Sequence, residues 1–243
     1  MLNSEKNSKN KRRRIGYNFC YDFVKVTGAL PTLLLLRPKI HNPYKTKIPK
    51  GAVLISSNHN SFIDPIIVLA AFPSRRIHSL ATKDLFNSKF KNAFFQKMHC
   101  IKVDKDNFSI SAFHDVVSRL QDDHVVMIFP EGEVNTKNSN ELLAFKSGAV
   151  MMAYKAGAPI LPIYLPKREK WYQRQHIVVG NLFNIGDIVG KIPTMQKLTE
   201  ASDALRATEL SLREYFESLT LNKKQKNKSK ISREESEKNE SKV

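Results

Sequence analysis

The chain has 243 residues, of which 41% are hydrophobic, and a formal net charge of +17. This length and composition predict one domain with a hydrophobic core and exclude a wholly disordered chain. The two cysteines, Cys20 and Cys100, have no CxxC or ligand-like spacing, so we expect neither a disulfide framework nor a zinc site. No uninterrupted apolar run reaches 18 residues, and we therefore predict no clear transmembrane helix.

Both ends of the chain are strongly basic. Residues 1–14 hold six basic side chains and one acidic one, and residues 222–243 hold eight and four, which leaves a charge of +8 for the middle. We expect a basic disordered arm over 1–14 and a disordered charged tail over 222–243, because such segments are poor in apolar residues. This charge favours a polyanionic partner: nucleic acid, an anionic membrane surface or a phosphorylated substrate.

Residues 15–40 combine aromatic residues, leucines and flanking cations directly after the basic arm. We predict an interfacial helical segment here, since such a composition is typical of a membrane interface with its basic flank on anionic headgroups. The alternative is a helix that packs on the domain while its charges are only solvated.

From residue 41 to residue 221, short apolar runs alternate with helical periodicity. Strand-like runs are found at 52–56, 100–103 and 125–129 and in the stretches PILPIYL and QHIVV. Helical patterns cover 65–72, the stripe of Ile110, Phe113, Val117 and Leu120, the stretch 146–157 with Gly157 as its cap, and 195–219. The alternation predicts an α/β domain with a mostly parallel central sheet flanked by helices, preceded by the N-terminal membrane-docking segment.

The stretch SNHNSFIDP (57–65) follows a strand-like run and contains His59 and Asp64. Loops at the carboxyl ends of parallel strands form ligand crevices, so His59 is a candidate general base that Asp64 would orient. The chain has no GxSxG serine elbow, and such a pair suits acyl transfer in which the substrate's own hydroxyl attacks. Alternatively, Asp64 caps the helix that begins at Pro65, and His59 is an ordinary loop histidine.

Polar residues follow three other strand-like runs. FPEGEVN (129–135) places Glu131 and Gly132 in a turn at the expected ligand edge, and ATKDLF (81–86) and IKVDKDN (101–107) bring Lys83 and Lys105 towards it. Lysines at such an edge can bind phosphate as point charges. Taken alone, each feature is equally typical of a surface turn or a solvated side chain.

Together these stretches resemble the glycerolipid acyltransferases. SNHNSFIDP resembles the NHxxxxD block of that family, ATKDLF with IKVDKDN its second block, FPEGEVN its third, and the proline-centred strand ILPIYL its fourth. The resemblance runs from about Tyr17 to Phe183 in the order of the family. It implies that His59 is the general base and Asp64 its partner. It also implies an acceptor-binding turn and motif-supporting positions at Glu131, Gly132, Asn58, Pro130 and Pro162.

The sequence departs from the family pattern at two positions. Lys105 stands where the family usually carries an arginine for the acceptor phosphate, and Val134 stands where the third block usually has another. A guanidinium binds phosphate in a bidentate way and an ammonium does not, so the acceptor becomes less certain. Lys83, Lys137 or Lys146 are candidates to compensate, and Lys146 lies in AFKSGA, which resembles the family's FKxGA.

The resemblance implies an O-acyltransferase that moves a fatty acyl group from a thioester or acyl phosphate to the free glycerol hydroxyl of lysophosphatidic acid, giving phosphatidic acid in phospholipid biosynthesis. It implies neither a metal nor a cofactor. The expected partners are an anionic membrane surface, the lysophospholipid, and acyl-CoA or acyl carrier protein. We expect the protein on the cytoplasmic face of the cell membrane, bound peripherally or monotopically.

Two alternatives stay open. The acceptor is a different lysophospholipid, since both arginine positions are altered, or, more remotely, the protein is a non-catalytic basic membrane-binding protein. Nucleic acid is disfavoured as a partner because no helix combines basic residues with interleaved aromatics. The sequence does not determine the donor, the acyl chain length, the oligomeric state or the role of the C-terminal tail.

Overall fold

A sheet of seven strands organises the computed structural model, which describes residues 18–28, 31–104, 110–136, 141–168, 170 and 173–240. The strand order is β1-β7-β6-β2-β5-β3-β4. Their bounds are β1 Lys39–His41, β2 Val53–Ser57, β3 Ile77–Thr82, β4 Ile101–Val103, β5 Val125–Ile128, β6 Ile160–Tyr164 and β7 His176–Val179. Every adjacent pair is parallel except β6 and β7. The mostly parallel central sheet is therefore confirmed.

The strands β2, β5 and β6 are buried along their whole length. Strands that helices cover on both faces need continuous apolar runs rather than alternating ones. This requirement explains why the runs predicted as strands at 52–56 and 125–129 form the centre of the sheet.

Helices cover both faces of the sheet. They are α1 (18–28 and 31–36), α2 (Asp64–Ala71), α3 (Lys89–Lys97), α4 (Ile110–Gln121), α5 (Gly148–Ala156), α6 (Gly186–Val189) and α7 (Met195–Glu240), with a 3₁₀ helix at Lys83–Phe86. The crossovers through α2 and α3 advance from β2 to β3 to β4, whereas those through α4 and α5 return across the sheet. Right-handed crossovers place α2 and α3 on one face and α4 and α5 on the other.

The hydrophobic core has two main layers that correspond to these faces. One layer packs β-strand residues against Val116 of α4, Val150 of α5 and Leu205 of α7. The other packs the opposite side of the same strands against Ile67 and Val68 of α2. Since α2, α4 and α5 connect parallel strands, they carry the chain back and return each strand to the same edge of the sheet.

The C-terminal tail differs from the prediction. The helix expected over 195–219 continues as α7 to Glu240, so residues 222–240 are helical rather than disordered. The sequence after Thr194 contains neither proline nor glycine and is rich in lysine and glutamate, which are good helix formers. The first half of α7 buries Leu198, Leu205 and Leu212 against the sheet, and local propensity extends the helix beyond that contact.

The N-terminal boundary also differs from the prediction. The basic arm over 1–14 lies outside the described residues, whereas the helical parts of α1 agree with the expected segment over 15–40. Residues 39–41 form β1, which pairs with β7, so the α/β domain begins inside that segment. The helix over Asn18–Leu36 is long and apolar enough to cross a membrane by length and composition, which a count of uninterrupted apolar residues does not reveal.

Candidate active site

His59 and Asp64 lie in contact at the carboxyl end of β2. Nδ1 of His59 is 3.0 Å from Oδ2 of Asp64, and the two side chains are 15% and 5% exposed. The His59 ring stacks on the ring of Phe129, which follows β5, with 4.0 Å between the ring centroids. When Nδ1 donates its proton to Asp64, the lone pair of Nε2 is left on the other side of the ring. This is the arrangement that a general base requires.

Asp64 does not cap its own helix. It is the first residue of α2, whose N-cap residue Ile63 makes no side-chain cap. Oδ2 of Asp64 instead accepts hydrogen bonds from the backbone N–H groups of Asn60 and Ser61, both at 2.7 Å, in addition to His59. Three donors therefore converge on one carboxylate oxygen. The capping interpretation of Asp64 is wrong, because the loop folds back over this carboxylate rather than extending from it.

Two asparagines attach the histidine loop to the end of β6. Asn58 donates from Nδ2 to the carbonyl of Leu165 at 3.0 Å and accepts at Oδ1 from the backbone N–H of Leu165 at 2.7 Å. Asn60 donates to the same carbonyl at 2.7 Å. Asn58 is 2% exposed, so these bonds lie away from water. The residues before and after His59 are thereby both held against the end of β6.

The turn after β5 forms the other wall of the site. Phe129, Pro130, Glu131 and Gly132 make a turn that is closed by the N–H of Gly132 donating to the carbonyl of Phe129 at 3.0 Å. Proline suits the second position of such a turn because its φ is already restricted. Beyond the turn, the N–H of Asn135 donates to the carbonyl of His59 at 2.7 Å. The turn and the histidine loop are thus joined directly.

Lys146 lies across Gly132. The φ of Gly132 is +75°, and a Cβ atom at this position would be 2.7 Å from Nζ of Lys146. The backbone N–H of Lys146 donates to the carbonyl of Pro130 at 2.9 Å, which fixes its position beside the turn. Glycine suits this position because of its left-handed conformation, whereas the flexible end of the Lys146 side chain could move to admit a Cβ atom. The exposed ammonium of Lys146 therefore stands beside the turn that borders His59.

Two buried carboxyl groups lie behind the site. Glu131 is 3% exposed, and burial raises its pKa to about 7, although the backbone of His59 and Leu143 lowers it in part. Glu209 of α7 is fully buried, and Ser56 of β2 donates to its Oε1 at 2.6 Å. Burial also raises the pKa of Glu209 well above its ordinary value, and the charge of Glu131 adds to the effect. Both groups therefore favour the neutral acid.

The other predicted site residues are not in contact with His59 in the described part of the chain. Lys83, in the 3₁₀ helix after β3, makes an ion pair with Asp104 at 2.8 Å, so its ammonium is engaged with a carboxylate at that end of the sheet. Pro162 lies inside β6, opposite Ser56, and accepts from the N–H of Gly180 at 2.9 Å. Lys105 and Lys137 lie outside the described residues.

Sequence reasoning missed Phe129, Asn60 and Glu209. One signal was available for Glu209, which interrupts the buried stripe of α7 between Leu205 and Leu212. A carboxyl at a position that helical spacing assigns to the core is unusual unless it has a polar partner. The ring contact of Phe129 with His59 had no comparable signal. The two residues follow β2 and β5, which are separated along the chain by three crossover connections.

The described residues define an α/β protein with a histidine–aspartate pair at the carboxyl edge of its sheet. Within them, neither a serine nor a cysteine hydrogen-bonds to Nε2 of His59. The pair therefore has the geometry of a general base and its orienting carboxylate without a nucleophile of the protein beside it in these residues.

Comparison with known proteins agrees with this class. The family model Acyltransferase matches residues 37–166. The chain is 26% identical over 196 residues to 1-acyl-sn-glycerol-3-phosphate acyltransferase of Bacillus subtilis, which covers 78% of this chain and 92% of that protein. It is 30% identical over 143 residues to the protein of the same name in Borreliella burgdorferi, with 57% and 54% covered. The chain therefore belongs to the Acyltransferase family and is an O-acyltransferase.

The fold is also found in a solved structure. The crystal structure of the 1-acyl-sn-glycerophosphate (LPA) acyltransferase from Thermotoga maritima superposes with a TM-score of 0.59 and 16% identity, covering 85% of this chain and 82% of that one. The resemblance in the four sequence blocks is thus accompanied by the corresponding fold.

Proposed function

We propose that this protein transfers a fatty acyl group to the free glycerol hydroxyl of lysophosphatidic acid and so forms phosphatidic acid. The observation that carries the proposal is the 3.0 Å contact between Nδ1 of His59 and Oδ2 of Asp64, which directs Nε2 away for a substrate hydroxyl. The names of the relatives in Bacillus subtilis and Borreliella burgdorferi support the choice of acceptor. The acyl donor is a thioester of CoA or of acyl carrier protein, or an acyl phosphate.

The reaction balances without a covalent enzyme intermediate. Nε2 of His59 takes the proton of the acceptor hydroxyl as the oxygen forms a bond to the acyl carbonyl carbon. The negative charge of Asp64 stabilises the imidazolium. The carbon–sulfur bond of a thioester then breaks, and the thiolate takes the proton back from His59. The oxyanion is stabilised by backbone N–H groups of the His59 loop or of the Gly132 turn other than those of Asn60, Ser61 and Gly132, which already donate within the site.

The acceptor phosphate binds near the Gly132 turn in this proposal. Lys146 supports this placement because its ammonium lies beside Gly132, and the turn is bonded to the His59 loop through Asn135. Val134 offers no cation where the family usually has an arginine. A lone ammonium is less selective for a phosphomonoester than a bidentate guanidinium. This departure favours a second candidate function, transfer to a lysophospholipid that carries a headgroup.

Membrane association belongs to the proposal and is supported by the orientation of α1. Its polar side chains face the domain: Tyr21 is fully buried and bonds to the backbone of Ile77, and Lys25 donates to the carbonyl of Phe72 at 3.0 Å. Its apolar side chains face outward, and Phe19 and Val26 are each 72% exposed. A surface helix of a water-soluble domain has the opposite arrangement, in which the apolar side chains face the domain and the polar side chains face water. We place this face on the cytoplasmic side of an anionic membrane.

An acceptor assay tests the function. Purified protein in anionic micelles is supplied with lysophosphatidic acid, lysophosphatidylglycerol or glycerol 3-phosphate, and with acyl-CoA or acyl carrier protein as donor, beside the His59→Ala variant. We expect transfer to lysophosphatidic acid that the variant loses. Transfer to lysophosphatidylglycerol alone would establish the second candidate. A folded protein that transfers to none of these acceptors with either donor contradicts the proposal.

Lys146→Met, compared with Lys155→Met in the exposed last turn of α5, tests the phosphate position. We expect Lys146→Met to raise the KM for lysophosphatidic acid about tenfold or more, with little effect on the KM for the donor, because one charge-assisted contact is lost. Equal KM values for both variants would place the phosphate elsewhere.

A further inference from the structure

Helix α3 presents two phenylalanines to the surroundings. No residue of α3 is buried, although it connects two strands of the sheet. Phe90 is 82% exposed and Phe94 is 39% exposed, and residues four apart lie on the same face of a helix. The helix is attached instead through Phe95, whose ring centroid lies 5.4 Å from that of Phe86 in the 3₁₀ helix. Helices of α/β domains ordinarily bury their apolar stripe, so this face has no partner within the described residues.

The charged side chains of α3 itself are all positive, and they interleave with aromatic residues, a combination that was not predicted for any helix of this chain. Lys89, Lys91 and Lys97 are exposed on α3, and the sequence from Asn87 to His99 contains no acidic residue. Aromatic side chains with flanking lysines are typical of helices that lie in the interface of an anionic bilayer. The aliphatic stems of lysine can follow the aromatic residues inward while the ammonium groups contact headgroup phosphates. Charge complementarity therefore selects an anionic lipid surface as the occupant.

The C-terminal end of α3 lies beside the first turns of α1. The ring of Tyr21 in α1 stacks on His99, two residues after α3, with 4.7 Å between centroids. Asp22, the next residue of α1, makes a two-bond ion pair with Arg76 at the start of β3. The first turns of α1 are thus held beside the C-terminal end of α3.

The first turn of α3 lies near the edge of the sheet that carries His59. Strand β3 ends at Thr82, and only the 3₁₀ helix and two further residues separate the end of this strand from Lys89, the first residue of α3. Phe62, in the loop between His59 and Asp64, is 83% exposed at the carboxyl edge as well. A lipid contact at Phe90 would therefore hold the reaction edge close to the bilayer, from which a lysolipid must enter.

We propose that α3 is a second membrane contact, in which Phe90 and Phe94 enter the interface of an anionic bilayer and Lys89, Lys91 and Lys97 bind its headgroups. The inference rests on the membrane association proposed above and adds a contact outside α1. Two separated contacts fix the orientation of the domain, whereas α1 alone would leave it free to rotate about one helix.

Tryptophan fluorescence tests the contact residue by residue. Trp171 is the only tryptophan of the chain, so Trp171→Phe provides a silent background for Phe90→Trp. The matched control is Ile192→Trp, since Ile192 is 73% exposed and follows α6, whose residue Val189 packs in the core layer on the opposite face. Each variant is mixed with phosphatidylcholine–phosphatidylglycerol vesicles that contain brominated acyl chains, and vesicle binding is measured by sedimentation in the same sample.

We expect the fluorescence of the Phe90→Trp variant to be quenched and blue-shifted and that of the Ile192→Trp variant to be unaffected. Phe90→Trp protein that sediments with the vesicles without being quenched overturns the α3 contact and leaves the association through α1 intact. Protein that does not sediment at all contradicts the membrane association itself, and the α3 contact with it. Acyl transfer to micellar substrate is scored separately, so that failure of the catalytic proposal is not confused with either result.

Substitution gives an independent measure. Phe90→Ser with Phe94→Ser should weaken vesicle binding at least tenfold, and Phe90→Ser alone should leave the thermal unfolding temperature unchanged, because Phe90 is 82% exposed. Lys89→Gln, Lys91→Gln and Lys97→Gln together should weaken binding to the anionic vesicles but not to vesicles of phosphatidylcholine alone. Wild-type affinity in the double serine variant would overturn the proposal.

Discussion

Asn58 and Leu165 exchange two hydrogen bonds across the ends of neighbouring strands. Nδ2 of Asn58 donates to the carbonyl of Leu165 at 3.0 Å, and the N–H of Leu165 donates to Oδ1 of Asn58 at 2.7 Å. The backbone pairing of β2 and β6 ends with Ser57 opposite Ile163. The carboxamide of Asn58 therefore continues the ladder by one further step, in place of a backbone group. This step is what places His59 beyond the sheet edge in a defined position.

Asn58→Ala should lower both stability and turnover. It leaves the buried N–H of Leu165 without its acceptor, which costs about 1–3 kcal/mol of unfolding free energy, whereas the carbonyl of Leu165 keeps its bond from Asn60. Urea unfolding and initial rates of acyl transfer measure the two effects. Asn60→Ala is the matched control, because it removes one of two donors to the same carbonyl and should cost less. The reverse order would contradict the role given to Asn58.

Asp64→Asn separates charge from geometry. All three donors to Asp64 reach the same oxygen, and an asparagine oxygen can accept in its place, so we expect the variant to fold normally. It lacks the negative charge that stabilises the imidazolium, and kcat should fall by roughly two to four orders of magnitude. Thermal unfolding and steady-state kinetics check this prediction. A kcat within threefold of wild type would show that the charge of Asp64 is not used.

Glu131→Gln should change how stability depends on pH. Burial raises the pKa of Glu131 from 4.5 to about 7, so the folded protein binds this proton more tightly than the unfolded chain does. The contribution of Glu131 to stability is therefore present below pH 4.5 and is lost as the pH rises through about 7.

The measurement is urea unfolding of wild type and Glu131→Gln at pH 5 and pH 8. Because glutamine does not ionise, the variant should gain on the order of 2 kcal/mol relative to wild type between these two pH values. Glu133→Gln, at an exposed position of the same turn, is the control and should show no such gain. An equal gain in both variants would mean that the effect does not arise from burial of Glu131.

Glu209→Gln and Glu209→Ala should differ in their effect on the free energy of unfolding. Burial raises the pKa of Glu209 well above its ordinary value, so glutamine reproduces the neutral acid and should keep the stability of the protein near pH 7. Alanine removes the acceptor of the 2.6 Å bond from Ser56 and leaves a cavity between α7 and β2. We expect it to cost about 2–4 kcal/mol in thermal or urea unfolding. Equal losses in both variants would contradict the neutral form of Glu209 that makes glutamine an adequate replacement.

The fold class could be predicted because it depends on local patterns. The continuous apolar runs of β2 and β5 require cover on both faces, and Gly157 ends α5 with a φ of +66° as a C-cap glycine should. The tail over 222–240 was predicted wrongly as disordered, since low hydrophobicity was weighed above the helix propensity of its residues. Strand β1 was not predicted, because it pairs only with β7, where Lys39 lies opposite His176, a residue far along the chain.

The candidate site was predicted as a set of residues but not as a geometry. The spacing of His59 and Asp64 is equally compatible with a capped helix and with a general base, and only the folded loop decides between them. It does so because Oδ2 of Asp64 accepts from Asn60, Ser61 and His59 rather than from its own helix. The family resemblance favoured the general-base interpretation of this pair, which stays a prediction, but it could not provide the partner atoms.

By itself the sequence determined the class of protein and its central strands with most of the flanking helices, and it named candidate residues for the chemistry, because apolar periodicity, turn residues and four ordered motifs are all local. Only the tertiary structure decided that Phe129 stacks on His59, that Asn58 binds Leu165, and that Glu209 is buried behind Glu131. These contacts join segments that are distant along the chain, and their energies depend on burial, which no single segment specifies.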